Sequence, residues 1–567
     1  MTSRFFIRAG AALVLAGFVG GAAFGQVPKT PAEDANYARY SQADDIAFFL
    51  SVLDAASPRL AVGVVGRSGP AGACPAADLF LCVLSAGGAG RPADLDRTKP
   101  TLLVTASQHG NEQSAKEAAL EFVRDLALGE LGRLLESINV LVVPQANPYG
   151  NFFDVRSNEQ GLDLNRDHVK IESEEARAIH DVFRAWRPEV TLDVHEKGDD
   201  YYRVSVGCVS NINIDRRLQD YSRDRILAEV EKSLARDGVT FHEYLVTEEM
   251  GINTASGAAL RPEDLAEREE MMRFSTTDLN DGRNSLGIFQ TLSFIQEGAS
   301  RHDLASLRDR TRWQGLGIRA LAEAVAANGQ AILQLVGDSR AALLREASAA
   351  SGRSLVHLRM SFARNEAHPT LSLKAYERTG TPVRGVLRVD KKAGEPVLAS
   401  ELAPSPAGPD RIVVDRVVKN WFPDVVPVLS VSRPIGYIIP AGHRDLVENL
   451  LKLGIDVDVF AKDAAIEVEV YTADEVVPAK YDYLAPEKLS VTKTARPWIA
   501  KKGDYYVSCG QPAANLVPSL LEPQSEFGFI RYWKYKLVPG AGDFFEIVRL
   551  ALPQAMTVVP YRRWERG

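Results

Sequence analysis

Residues 101–112 read Thr-Leu-Leu-Val-Thr-Ala-Ser-Gln-His-Gly-Asn-Glu, an apolar stretch that leads directly into polar residues. The segment 101–105 has the composition of a buried β-strand, and apolar residues then recur at helical spacing between Ala115 and Leu126. Strands are likewise predicted at 138–143, 190–194 and 291–295, with helices at 174–186 and 304–328. Strands separated by helices predict an α/β fold with a mixed, largely parallel sheet and helices on both faces.

The composition is that of a large globular protein. The chain has 567 residues, which is too long for one ordinary domain. Hydrophobic residues make up 46% and charged residues 25%, and this composition excludes a wholly disordered chain. The net charge is −8, and no long run of Lys or Arg occurs. We therefore expect no nucleic-acid partner.

The character of the sequence changes near residue 345. Beyond it, short alternating stretches rich in Val, Thr, Arg and Pro, such as 383–389 and 411–418, predict antiparallel strands. Residues 437–460 then have the pattern strand, helix, strand. We predict three parts: a signal peptide at 1–25, an α/β domain at 26–345, and a β-rich α+β region at 346–567 whose role the sequence does not indicate.

The first 25 residues have the pattern of an export signal. Arg4 and Arg8 precede an apolar run at 9–19, and Ala23-Phe-Gly25 offers small residues at the two positions that signal peptidase reads. Cleavage after Gly25 would deliver the chain to the periplasm or outside the cell, with no later segment long enough for a membrane helix. An uncleaved membrane anchor is the alternative, although the run is short of the ~20 residues that span a bilayer.

Export affects the interpretation of the four cysteines. An oxidising compartment permits disulfides. Cys74 and Cys82 are close in sequence and flank a loop, so we predict that they pair, whereas Cys208 and Cys509 are expected to be buried thiols.

Polar side chains follow each of four predicted strands in the first domain. His109 and Glu112 follow the first strand, Asn147 the second, His195 the third and Glu297 the fourth. Ligands of open α/β sheets bind at the carboxyl ends of the strands. These side chains are therefore expected to converge at one site.

Their chemistry is that of a metal site. His109 and Glu112 lie three residues apart and can reach one ion from the same face of a helix. With His195 they form a set that suits Zn²⁺ and leaves one position open for water, and Glu297 can accept a proton from that water. The alternative is chance, because His-x-x-Glu is a loose pattern in a chain with nine histidines, although only His109 has Glu three residues later.

The polar stretch from Arg156 to Asp167 adds two arginines and several amides. It is either a structural loop held by Asp–Arg pairs or a binding element. An Arg fork matches a carboxylate and can stabilise an oxyanion.

These elements, in this order and spacing, resemble the zinc carboxypeptidase family that includes the pancreatic carboxypeptidases. The resemblance covers roughly residues 40–330, and the region beyond 345 resembles C-terminal extensions of large bacterial members. It implies one Zn²⁺ per chain and a substrate with a free carboxylate. The implied roles are metal ligands at His109, Glu112 and His195, a general base at Glu297, an oxyanion-stabilising Arg156, and a clamp for the terminal carboxylate at Asn165 and Arg166.

Two departures from the family pattern leave substrate recognition open. Pancreatic members place a mobile Tyr about twenty residues before the catalytic Glu, but no Tyr occurs between Arg273 and Gln296, and Tyr244 lies too far upstream to inherit the role. Arg283 and Asn284 lie in this window, and their composition is more typical of a surface loop than of a substrate contact. The residue at the base of the side-chain pocket is not identifiable.

The favoured function is an exported zinc metallocarboxypeptidase that hydrolyses the last peptide bond of a peptide, which includes cell-wall peptides. A zinc-dependent amidase or deacylase acting on N-acyl amino acids or cell-wall peptides is the closest alternative. A non-catalytic binding protein on the same scaffold is a third. The sequence does not indicate the oligomeric state.

Overall fold

The computed structural model describes residues 27–249, 270–349, 354–378 and 411–562. The signal peptide predicted at 1–25 and the strand predicted at 383–389 lie outside the described residues. None of the described helices is long and apolar enough to cross a membrane.

The region up to residue 348 alternates strands and helices. Its elements are α1 (Pro31–Asp34), α2 (Ala43–Ala56), β1 (Leu60–Ser68), β2 (Ala77–Leu84), β3 (Thr101–Ala106), α3 (Gln113–Ala127), β4 (Asn139–Val143), α4 (Pro148–Phe153), α5 (Glu174–Trp186), β5 (Val190–Lys197), β6 (Val204–Cys208), α6 (Arg216–Tyr221), α7 (Ala228–Arg236), β7 (Phe241–Glu243), β8 (Leu245–Glu249), β9 (Glu270–Phe274), α8 (Gly282–Gly287), β10 (Leu292–Ala299), α9 (Leu307–Ala327) and α10 (Gly329–Ser348).

An eight-stranded mixed sheet forms the centre of this region, in the order β1-β2-β4-β3-β5-β10-β6-β7. The four central strands β4, β3, β5 and β10 run parallel to one another. The flanking strands β2 and β6 are antiparallel to them. The predicted mixed, largely parallel sheet is confirmed, and the carboxyl ends of the central strands lie at one edge.

Helices cover both faces of this sheet because side chains alternate along each strand. Leu102 and Val104 of β3 belong to the core on the side of α3, where Leu120 is buried. Leu103 points the other way and packs in a second cluster with Trp186 of α5. Both faces are therefore apolar, as expected for buried parallel strands.

The C-terminal region is rich in β-structure, as predicted, and contains a seven-stranded sheet with the order β19-β18-β21-β16-β20-β17-β22. Its elements are β11 (Leu355–Ala363), β12 (Leu371–Arg378), β13 (Arg411–Val418), β14 (Trp421–Phe422), β15 (Asp424–Ser432), β16 (Gly436–Ile439), α11 (Arg444–Lys452), β17 (Val457–Phe460), β18 (Ala464–Val477), β19 (Lys488–Ala500), β20 (Tyr505–Ser508), α12 (Leu516–Leu521), β21 (Val548–Leu550) and β22 (Val558–Arg562).

The C-terminal region also contributes a strand to a small sheet of the first region. Strand β14 pairs in parallel with β9, and the Met272 N–H donates to the Asn420 carbonyl at 2.9 Å. The predicted boundary near residue 345 falls in the last turn of α10, and it stays a prediction.

The predicted Cys74–Cys82 disulfide is wrong, since all four cysteines are buried free thiols. Cys74 lies in the turn before β2, whereas Cys82 lies within β2 opposite Val62. Strand β2 begins at Ala77, so the extended chain carries Cys82 about 16 Å beyond that point at ~3.3 Å per residue. A disulfide needs Cα atoms within roughly 7 Å. The prediction of buried thiols at Cys208 and Cys509 is confirmed.

Candidate active site

Two histidines and one glutamate converge near the carboxyl ends of β3 and β5. His109 follows β3, and Glu112 stands directly before α3 as its N-cap residue. His109 Nδ1 and His195 Nδ1 each lie 2.8 Å from a different oxygen of the Glu112 carboxylate and 3.1 Å from each other. All three side chains are buried, and their donor atoms lie within 4.8 Å of one another. The structure thus brings together the three residues predicted as metal ligands.

A carboxylate holds the other ring nitrogen of each histidine. His109 Nε2 lies 3.0 Å from Asp163 Oδ1, and His195 Nε2 lies 2.7 Å from Asp193 Oδ2. Such carboxylates fix the tautomer and orientation of a metal-binding imidazole. Sequence reasoning missed both acids, although Asp193 lies two residues before His195 and hence on the same face of the predicted strand.

Glu297 lies beside this cluster on the neighbouring strand. In the parallel register of β10 and β5, Glu297 is opposite His195, so its side chain faces the same edge of the sheet. It is only 7% exposed. Burial raises the pKa of Glu297 to about 7. A carboxyl group with a pKa near neutrality can both accept and return a proton, which suits acid–base catalysis.

The remaining predicted residues line the same cavity, whose volume is about 330 Å³. Arg156 is 45% exposed, donates through Nε to Asp163 at 2.8 Å and places Nη1 3.0 Å from His109 Nδ1. Asn165 is buried, and its side chain contacts the Gly282 N–H at 2.7 Å and His195 Nε2 at 3.2 Å. Arg166 is exposed at the cavity wall. The catalytic and clamp roles of these residues stay predictions.

Tyr244 also lines the cavity, which the sequence did not predict. Its backbone N–H donates to Val206 of β6, so the residue lies level with the middle of β10. The charge of Glu297, together with burial, raises the pKa of Tyr244 well above its ordinary value, and the phenol keeps its proton. Strand-end reasoning cannot find this residue, because β7 runs parallel to β6 and therefore opposite to the strands that carry the ligands.

Arg283 and Asn284 are not the surface residues that their composition suggested. Their exposed fractions are 1% and 0%. The Asn284 side chain is hydrogen-bonded to the backbone of two other segments. Its Oδ1 accepts from the Ser210 N–H at 3.1 Å, and its Nδ2 donates to the Thr276 carbonyl at 2.6 Å. Arg283 lines the cavity itself.

Two histidines and a glutamate that could hold a metal ion, beside a buried carboxylate, form the set of side chains that metal-dependent hydrolases use. The family model described as zinc carboxypeptidase matches residues 81–194, a range that contains His109 and Glu112 and ends at the residue before His195. The family model and the curated carboxypeptidase relatives support membership of the zinc carboxypeptidase family and indicate a hydrolytic metallopeptidase.

The curated relatives carry the same description of activity. Carboxypeptidase 2 of Trichophyton rubrum is 25% identical over 465 residues, which cover 78% of this chain and 75% of the relative. Carboxypeptidase 2 of Trichophyton tonsurans is 25% identical over 461 residues, with the same coverage of 78% and 75%. These alignments are longer than the region 26–345, so the similarity extends beyond the predicted catalytic domain.

Among solved structures, a metallo-carboxypeptidase from Burkholderia cenocepacia is 18% identical and matches with a TM-score of 0.37 over 51% of this chain and 70% of that chain. A metallo-carboxypeptidase from Pseudomonas aeruginosa, in complex with (2-guanidinoethylmercapto)succinic acid, is 20% identical with a TM-score of 0.35 over 52% and 70%.

Proposed function

We propose that the chain is an exported, zinc-dependent carboxypeptidase that removes the last residue of a peptide. The observation that carries the proposal is the convergence of His109 Nδ1, His195 Nδ1 and the Glu112 carboxylate within 4.8 Å, beside buried Glu297. Two imidazole nitrogens and one carboxylate are the protein donors that catalytic zinc sites use. The signal peptide predicted at 1–25 from the sequence favours a periplasmic or secreted location.

His109, Glu112 and His195 would hold one Zn²⁺ per chain. When bound, the ion polarises the scissile carbonyl and makes a nearby water more acidic. Glu297 takes a proton from the attacking water and later delivers it to the departing amine, and its burial favours this role because it raises the pKa of the carboxyl above its ordinary value. Asp163 and Asp193 keep the two imidazole rings oriented.

Arg156 and Arg166 would act on different parts of the substrate. Arg156 lies 3.0 Å from His109 Nδ1, so its guanidinium is placed to stabilise negative charge that develops on the carbonyl oxygen. Arg166 is exposed at the cavity wall and can take the terminal carboxylate of the substrate. The Asn165 side chain already contacts the Gly282 N–H and His195 Nε2. Its proposed role is therefore to fix the position of the adjacent Arg166 in the cavity wall.

The test is a metal assay combined with a substrate panel. The purified protein should contain close to one zinc per chain, and chelation should abolish hydrolysis of N-blocked dipeptides until zinc is restored. Full activity in metal-depleted protein would contradict the proposal. Faster hydrolysis of N-acyl amino acids than of any blocked dipeptide would instead establish the amidase alternative.

Export has its own test. The mature protein recovered from the periplasm or medium should begin near Gln26, as read by N-terminal sequencing. An exported protein that retained residues 1–10 would contradict cleavage.

A further inference from the structure

Arg283 presents unused hydrogen-bond donors to the catalytic cavity. The side chain is 1% exposed, and its hydrogen-bond partner within the described part of the chain is Asp281, whose Oδ2 lies 2.9 Å from Nη2. Nε and Nη1 have no hydrogen-bond partner among the described residues. Buried donors of a charged group are costly to leave unpaired, so two idle donors in a cavity wall indicate a place for an acceptor from outside the chain.

The guanidinium lies farther from the carboxyl ends of the central strands than Glu297 does. A Cβ added to Gly207 would lie 3.3 Å from Arg283 Nη1 and 3.5 Å from Ile295 Cγ2, which places the guanidinium level with these two residues. Ile295 is two residues before Glu297 on β10, which is roughly 6–7 Å along a strand. The last residue of a peptide, bound with its scissile bond at Glu297, would extend its side chain over this distance.

The acidic residues near Arg283 are already neutralised. Asp281 accepts from Arg283 Nη2 and, through Oδ1, from the Asn284 N–H at 2.7 Å. Asp278 pairs with Arg531 at 3.2 Å, and both side chains are 5% exposed. An anion that reaches Arg283 therefore meets its two free donors, while Asp281 and Asp278 are both already paired with a cation.

We propose that Arg283 forms the floor of the side-chain pocket and selects peptides whose last residue is Glu or Asp. The inference rests on the proposed carboxypeptidase function and names its substrate class. Such a residue carries two carboxylates: Arg166 would take the terminal one and Arg283 the side-chain one. A guanidinium fork binds a carboxylate with paired hydrogen bonds that an apolar or cationic side chain cannot make.

The first test compares blocked dipeptides that end in Glu, Gln, Leu or Lys with the wild-type enzyme. Glu and Gln have the same shape and differ in charge, so their ratio isolates the contribution of the carboxylate. We expect kcat/KM to be about 10- to 100-fold higher for Glu than for Gln, the range for a hydrogen bond to a charged group. Hydrolysis of all four peptides without a preference for Glu would overturn the inference and leave the carboxypeptidase function standing. Hydrolysis of none would overturn both.

The second test replaces the side chain. Arg283→Met keeps much of the volume and should lower kcat/KM for the Glu peptide by about 10- to 100-fold more than for the Leu peptide, so the preference for Glu is lost. Because this change removes the cationic partner of Asp281, the double variant Arg283→Met/Asp281→Asn is the matched control: Asn keeps the cap to Asn284 and removes the charge. Unchanged preference for Glu in the folded, metal-loaded double variant would overturn the role of Arg283.

Discussion

At the scale of single residues, carboxylates contact both ring nitrogens of each histidine in the candidate metal site. Each histidine points one nitrogen at Glu112 and the other at a carboxylate, Asp163 or Asp193. Asp193 also accepts from the Gln108 amide at 2.7 Å, so the acid itself has a fixed position. The three donors thus hold their arrangement through contacts that lie outside the metal-binding edge, which is how a protein orients ligands before an ion arrives.

Removing one ligand should release the metal. We expect His109→Ala and His195→Ala to lose most bound zinc, because two remaining donors bind it weakly, while the fold persists. His302→Ala is the matched control: this exposed histidine lies near the site, with Nδ1 4.0 Å from Glu196 Oε2, and is outside the ligand set. Zinc is measured by elemental analysis after dialysis. Full occupancy in either ligand variant would show that the ligands are wrongly assigned.

Glu297→Gln should separate metal binding from catalysis. The amide keeps the shape of the side chain and cannot accept the proton, so zinc content should stay near wild type while kcat falls at least ~10²-fold. Steady-state kinetics on a blocked dipeptide and zinc analysis of the same sample provide the measurement. Wild-type turnover with zinc bound would exclude Glu297 as the base.

At the scale of elements, the sequence predicts the helices, strands and strand-end residues that depend on local pattern. Helix α5 was predicted at its observed bounds, because its apolar spacing and the following Pro188 mark both ends. Glu112, His195 and Glu297 were found because parallel strands end at one edge.

Other residues of the site depend on contacts that no local pattern encodes. Tyr244 follows a strand that runs opposite to the ligand-bearing ones. Arg283 resembles a loop residue in the sequence, and only the fold brings β6 and β10 beside it. The Cys74–Cys82 prediction failed for a similar reason, since sequence proximity says nothing about the extended strand between the two residues.

The wall that holds Arg283 is fixed by an ion pair from the C-terminal region. Arg531→Met should leave Asp278 buried without its partner, at a cost of about 3–5 kcal/mol in the free energy of unfolding, and should raise KM as the wall loosens. Chemical denaturation and steady-state kinetics measure the two effects.

The exposed pair Lys534–Glu172 also joins the two regions and serves as the control. Its side chains are 41% and 30% exposed, so Lys534→Met should cost no more than ~1 kcal/mol. Asp278→Asn combined with Arg531→Met should recover part of the loss, because it removes the unpaired charge. Equal effects of the two single substitutions would show that Arg531 contributes no more than a surface pair.

At the scale of the whole molecule, the two regions share one hydrophobic core. A single cluster contains Phe294 of the central sheet, Ile332 of α10, and Tyr437 and Val517 of the C-terminal region. Buried amides also cross between the regions: Asn449 Nδ2 donates to the Val169 carbonyl at 2.9 Å, and Asn213 Nδ2 donates to the His357 carbonyl at 2.8 Å. Groups buried in this way would become exposed or unpaired if the regions separated.

A chain truncated after Ser348 should therefore fail to form a stable enzyme. It would expose the apolar residues that pack against the C-terminal region, lose the strand that pairs with β9, and leave Asp278 without Arg531. We expect aggregation or a loss of cooperative thermal unfolding, with no peptidase activity. The intact mature chain should instead unfold in one calorimetric transition, because a shared core couples the regions. A soluble, zinc-loaded fragment 27–348 with wild-type kcat/KM would show that the C-terminal region is an independent domain and that the active-site wall stands without it.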